Sequence, residues 1–199
     1  LVVRKVYNTV KDSVFAKTKW AITKQEFSEK DYKYTSSPYE ITMRDTGQKI
    51  FFRGADDKEK IKSIAPDFGY IAIVWFEELD QFAGPEEIRN IEQSAIRGGD
   101  LAWIFKSFNP PKSANNWANQ YLQEPKENRL ITRSTYLDVP KEWLGQPFID
   151  EAEHLKEIRP EAYEHEYMGI ANGNGGAVFE YVEVREITDK EISQMDRIY

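Results

Sequence analysis

The sequence predicts an α/β fold: a three-layer sandwich around a mainly parallel sheet, with a β-hairpin and a helical subdomain attached. Three observations carry this. Two apolar runs, "YIAIVWFEE" (70–78) and "LAWIFKSFNPP" (101–111), show no alternation. Strands of that kind belong to parallel sheets whose two faces are both covered by helices. Segments of helical spacing separate these runs from each other and from the β-branched opening "LVVRK". Strands that alternate with helices along the chain pack as layers.

Taken in order, "LVVRK" is a short buried strand. In "NTVKDSVFAKTKWAITKQEF" (8–27), Val10, Val14, Phe15, Thr18 and Ala21 fall at helical spacing, so a helix of about four to five turns follows. "YEITMRDTGQKIFFRG" (39–54) alternates through Ile41 and Met43, turns at "DTG" and returns as "KIFFRG", which is a β-hairpin. "ADDKEKIKS" (55–63) has acids first and lysines last, the charge order of a short helix. "GPEEIRNIEQSAIRG" (84–98) is a helix with Pro85 in its first turn and glycine past its end. "SANNWANQYLQEP" reads as a short helix, and "NRLITRSTYLD" (128–138) as a further strand. Residues 140–169 are helical and charged and break at Pro160. The glycine-rich "ANGNGGAVFEYVEV" (171–184) reads as a joint leading into a new strand.

Composition narrows the function classes. Of 199 residues, 40% are hydrophobic and 14% aromatic, which is a globular composition. No stretch approaches the roughly 20 apolar residues of a membrane span. Cysteine is absent, so thiol chemistry and disulfides are excluded, and the two histidines, His154 and His165, share one charged segment that makes a poor zinc site. The net charge of −7 opposes a globally basic nucleic-acid binder. Residues 1–24 nevertheless carry Arg4, Lys5, Lys11, Lys17, Lys19 and Lys24 against the single acid Asp12, a local basic element able to meet phosphate. Neither end shows a start or cap signal: Leu1 opens directly as strand, and "MDRIY" stops without a turn. Both ends are expected to be cut from a longer protein.

The candidate chemistry lies at the strand ends, because ligands of open α/β sheets bind beyond the carboxyl ends of the strands. Glu77 and Glu78 close one buried run, and Ser107 and Asn109 close the next. Adjacent strand residues point to opposite sides, so the two acids are expected to have separate tasks: one toward a metal or its water shell, the other toward an attacking water. A neighbouring strand end would bring Asn109, with Ser107, toward either a terminal phosphate or the attacking water. Arg4, ending the first strand, faces either nucleotide or a neighbouring subunit, and Arg133 has the same choice. Against this stand plainer roles: acids that open a loop, a Ser/Asn/Pro turn, a surface arginine. Lys11, Lys17 and Lys19 read as a solvated helix face. Trp75, Trp103, Trp117 and Trp143 read as core.

The motifs in this order resemble the large terminase subunit of tailed bacteriophages, over nearly the whole chain. "LVVRKVYNTVKDSVF" resembles the strand and helix after that family's phosphate-binding loop, "FFRGADDKEKIKS" the segment before its acidic strand, "IVWFEELDQF" its Walker B strand, and "SFNPP" its coupling motif. "RSTYLDVP" and "YEHEYMGIANGNGGAVFE" resemble the passage toward its nuclease domain. The resemblance implies a P-loop NTPase sheet of the type with an additional strand and catalytic glutamate. It implies Glu77 as metal ligand, Glu78 as catalytic acid, and Asn109, Ser107 and Arg4 as nucleotide-binding residues, with ATP and Mg²⁺ as cofactors. It divides the chain into an ATPase core (1–138), a helical linker (139–170), and a hinge with the first strand of a nuclease domain (171–199). It implies double-stranded DNA, a portal protein and a small terminase subunit as partners, and a ring of identical subunits docked on the procapsid in the host cytoplasm, with no membrane. Glycine is nowhere followed by Lys-Ser or Lys-Thr, so the phosphate-binding loop is expected upstream of Leu1 and the fragment alone is expected to be inactive. A non-catalytic assembly module and a piece of another helicase-like ATPase are the alternatives.

Overall fold

In the computed structural model, which describes residues 1–173, six strands form one mixed sheet: β1 (Val2–Arg4), β2 (Tyr32–Ser36), β3 (Tyr39–Met43), β4 (Lys49–Gly54), β5 (Ile73–Glu77) and β6 (Trp103–Ser107). The spatial order is β2-β3-β4-β1-β5-β6. β1 lies parallel to both β4 and β5, and β5 parallel to β6. β3 and β4 are the expected hairpin, with Ile41 opposite Ile50. β2 extends it antiparallel and is joined through a cis Ser37–Pro38 bond. The sequence reading missed β2 because "YKYTS" is polar and offers only Tyr32 and Tyr34 as pattern.

The helices are α1 (Ala16–Lys24), α2 (Lys58–Lys62), α3 (Pro85–Ala95), α4 (Trp117–Tyr121), α5 (Lys141–Leu144), α6 (Gln146–Ile158) and α7 (Pro160–Glu166). The expected first helix is real but not uniform. Residues Lys11–Phe15 form a π-helical turn that runs directly into α1.

Alternation along the central strands divides the core between the two faces of the sheet. Val3, Phe51, Val74 and Phe76 meet Ile61 of α2 and Ile88, Ile91 and Ala95 of α3. Val2, Phe52 and Ile41 meet Val10, Val14 and Ile22 on the other face. Phe52 and Phe76 are fully buried, each a contribution of about 3 kcal/mol from apolar burial.

Two expectations fail here. Among the described residues the β5–β6 half of the sheet is covered on one face only. α1 packs over β1 and β4 and stops short, leaving Ile73, Trp103 and Phe105 more than half exposed. Trp103 is therefore a surface residue; Trp143 of α5 is exposed as well, while Trp117 packs against the core, partly buried. The expected strand at 128–138 is not formed. Its first part has no ladder partner among the described residues, Leu130 is 86% exposed, and Tyr136–Asp138 closes into a 3₁₀ turn with a Thr135/Asp138 capping box.

The helical segment after residue 139 is present and breaks at Pro160 as read. Its core is aromatic: Tyr136, Phe148, Tyr163 and Tyr167 pack edge-on or stacked, and the Tyr136 and Tyr163 hydroxyls are 2.9 Å apart. The expected joint and new strand (171–199) lie, from residue 174 onward, outside the described residues. Among those described, no helix is long and apolar enough to cross a membrane.

Candidate functional site

The ladder places the candidate residues before any side chain is considered. Val2 pairs with Trp75 and Val3 with Phe76, so Arg4 stands level with Glu77 at the carboxyl ends of adjacent parallel strands. Glu77 in turn pairs with Ser107. Alternation puts Arg4, Glu77 and Ser107 on the face that carries α1.

Arg4 Nε lies 2.8 Å from Glu77 Oε2, and Lys17 Nζ of α1 lies 3.6 Å from Glu77 Oε1. The Arg4 contact is an ion pair without a hydrogen bond, since the Nε–H is not aimed along the contact and neither atom has another partner among the described residues. Glu77 is 6% exposed, so a charge here requires compensation. The two cations provide it.

Glu78 departs from the sequence reading. The strand ends at Glu77, and Glu78 takes the left-handed conformation with φ 57° and ψ 57°. That backbone bend cancels the alternation that would send the two acids to opposite faces. Glu78 Oε1 instead comes within 3.9 Å of the same Arg4 guanidinium, with the side chain about one-third exposed. A non-glycine residue in this conformation costs about 1–2 kcal/mol, and such strain collects at functional sites.

The loop after Glu78 is held at both ends. Leu79 is fully buried. Glu87, in the first turn of α3, accepts from the Ala83 amide at 2.7 Å and meets Lys5 Nζ with both oxygens at 2.8 Å. Lys5 directly follows Arg4, so one charged pair ties the exit of β1 to the start of α3. Burial and the nearby Glu78 charge raise the Asp80 carboxyl above its ordinary value. Gly54, which ends β4 and pairs with Arg4, must be glycine: a Cβ there would lie 2.5 Å from the Tyr7 backbone nitrogen.

Ser107 and Asn109 are both exposed. The Ser107 hydroxyl accepts from Trp75 Nε1 at 2.8 Å, which fixes its oxygen and leaves its proton free to donate. Both residues, with Arg133, line an open cleft of about 2530 Å³ whose floor is the uncovered sheet face of Ile73, Trp75, Trp103 and Phe105. Glu77 and Glu78 are not part of its lining; the cleft is an apolar face beside the acids rather than a pocket around them. Lys17 is the site residue that sequence reasoning set aside. Its signal was a position on the helix that packs over β1, the strand ending in Arg4.

Among the described residues no group of three or more His, Cys, Asp or Glu could hold a metal by itself. Magnesium bound with phosphates needs only one or two carboxylates, since water and phosphate oxygens complete its shell. Glu77, with a buried oxygen that takes no hydrogen bond, fits that limited demand.

Residues 1–170 match the sequence model of a family described as phage terminase large subunit. The chain is 40% identical over 206 residues to the terminase large subunit of Bacillus phage SPP1, covering 100% of this chain and 48% of that protein. It is 23% identical over 204 residues to the PBSX phage terminase large subunit of Bacillus subtilis (strain 168), covering 92% and 45%. It thus spans about half the length of these curated relatives. The solved structure of the large terminase from a thermophilic bacteriophage, in complex with ADP, aligns with a TM-score of 0.57 at 15% identity, over 85% of this chain and 39% of that one. That likeness supports the α/β sheet architecture.

Proposed function

This chain belongs to the phage terminase large subunit family, and on that premise we propose that residues 1–138 form the ATP-hydrolysing core of a motor that moves double-stranded viral DNA into procapsids. One observation carries the proposal: two adjacent acids at a parallel strand end, brought to one arginine by a left-handed residue.

Magnesium bound with the nucleotide would supply the charge neutralisation that phosphoryl transfer requires. Glu77 is the residue to hold it. Glu78, about one-third exposed, is open enough to accept a proton from an attacking water. Ser107 keeps a hydroxyl proton to give to a phosphate oxygen, and Asn109 lies beside it. Arg4 balances the two acids and would be the cation nearest them for a phosphate oxygen. Residues 1–199 contain no Gly-Lys-Ser or Gly-Lys-Thr, so the phosphate-binding loop of the proposed enzyme has to come from elsewhere in the polypeptide. Among the described residues β6 has an uncovered face and an unpaired outer edge beside Ser107, which leave room for it.

The same reading makes 139–170 a helical linker and 171–199 the hinge and first strand of a nuclease domain. A portal protein, a small terminase subunit and further copies in a ring are the proposed partners, on a procapsid in the host cytoplasm.

Phosphate release from residues 1–199 with Mg²⁺, ATP and DNA is expected to be negligible, because positioning is nearly all of this catalysis. A longer chain that includes a phosphate-binding loop is expected to turn over, and Glu78→Gln to reduce kcat at least a hundredfold. Undiminished turnover in Glu78→Gln would overturn the assignment and favour a structural role for the acids, which the Glu77 ion pairs also fit.

A further inference from the structure

Lys106 is a charged residue on the face of β6 that packs against α3, and the catalytic assignment gives it no task. Its side chain is 17% exposed. Three elements converge on its ammonium: Glu92 Oε1 of α3 at 2.6 Å, the Tyr121 hydroxyl of α4 at 2.7 Å, and the Phe76 ring of β5 at 5.9 Å. Lys106 pairs with Phe76 in the ladder, one residue below the Glu77–Ser107 rung.

The contacts continue outward. The Tyr121 ring also lies under the Lys106 ammonium at 4.9 Å. Arg129 donates to the carbonyls of Tyr121 and Leu122 at 2.8 Å each, and to that of Glu124, which closes the open end of α4. Trp117 and Tyr121 pack against the core cluster that contains Leu79, the residue after Glu78. One network therefore touches the helix that follows the acids, the strand that carries Ser107, the helix that follows Asn109, and the segment that leaves the sheet toward the helical subdomain.

We infer that Lys106 is a positioning residue that sets the loop after Glu78 against the loop after Ser107, and that Tyr121 and Arg129 extend this restraint to the departing segment. A lysine is suited to the task. Its charge holds the acid as an ion pair, one of its donors serves the hydroxyl, and its stem stays apolar. With the ion pair largely shielded from water, removing one of its two charges leaves the other uncompensated, so α3 and β6 shift together. The inference rests on the proposed ATPase only for its consequence, that phosphate sensing and water activation keep register.

Amide hydrogen exchange on residues 1–199 reads the restraint without nucleotide, so its outcome is separate from that of the ATPase assignment. The test variant is the double change Lys106→Met with Glu92→Leu, which removes both charges and leaves only the part-buried Tyr121 hydroxyl without its partner. Exchange should accelerate about tenfold at residues 78–84 and 108–116, the effect of one ordinary polar contact, with β3 and β4 unchanged. Tyr121→Phe should accelerate residues 116–134 alone. Lys106→Arg should restore protection, since a guanidinium can reach both partners. Uniform acceleration throughout the sheet, or none in either loop, would assign Lys106 a merely structural role and overturn the inference.

Discussion

Arg4 Nε and Glu77 Oε2 meet 2.8 Å apart at the ends of neighbouring parallel strands, both side chains about one-tenth exposed. The pairing follows from register: β1 and β5 run in step, so the last residue of each arrives at the same level on the same face. Removing one partner strands the other. Arg4→Met is expected to cost about 2–4 kcal/mol in chemical denaturation, tempered by Lys17, which still reaches Glu77. Pairing Arg4→Met with Glu77→Gln should recover much of that loss, and a purely additive double mutant would contradict the coupling.

Glu78 holds a left-handed backbone that glycine adopts without strain. Glu78→Gly should leave stability unchanged or raise it by up to about 1 kcal/mol, while Glu78→Val should lower it by about 1–2 kcal/mol. Thermal melts of the two variants at one pH are sufficient, and equal melting temperatures would argue against strain at this position.

Asp80 gives a pH signature. Its folded carboxyl is raised above the ordinary value of 3.8, first by burial and then by Glu78. The fold therefore holds its proton more tightly than the unfolded chain does. This contribution is fully present below pH 3.8 and is lost as pH rises through the raised value. Asp80→Asn should flatten that part of the stability profile and stabilise the protein at neutral pH. A profile identical to the parent's would refute the assignment.

The uncovered face of β5 and β6 should behave as an associating surface. Ile73, Trp103 and Phe105 are each more than half exposed and contiguous in the ladder. Light scattering of residues 1–199 should show concentration-dependent association that Trp103→Lys and Phe105→Lys suppress. Monodisperse behaviour of the unmodified chain would show that this face is satisfied in solution.

Strand identity was legible where apolar runs were long, at Ile73–Glu77 and Trp103–Ser107, and where a turn was explicit, at Asp45–Gly47. The strand end that carries the acids was legible for the same reason. Four features were not. β2 depends on pairing with β3 rather than on its own pattern. Coverage of β5 and β6 depends on where α1 stops, which periodicity does not encode. The direction of Glu78 depends on one backbone angle, and the rule of alternating sides assumed the strand continued. Lys17 was hidden because exposure on a helix says nothing about which strand end the helix overhangs.

β1 is only three residues long, yet it stands between the hairpin half of the sheet and the half that carries the acids. Three rungs join it to β4 and two to β5. The two halves of the sheet meet there through the backbone of Leu1 on β5, through Val2 and Val3, and through the charged exit at Arg4 and Lys5. Mechanical pulling across the strands, or a proline placed at Val3, should part the molecule along that line while leaving each half's own pairings whole.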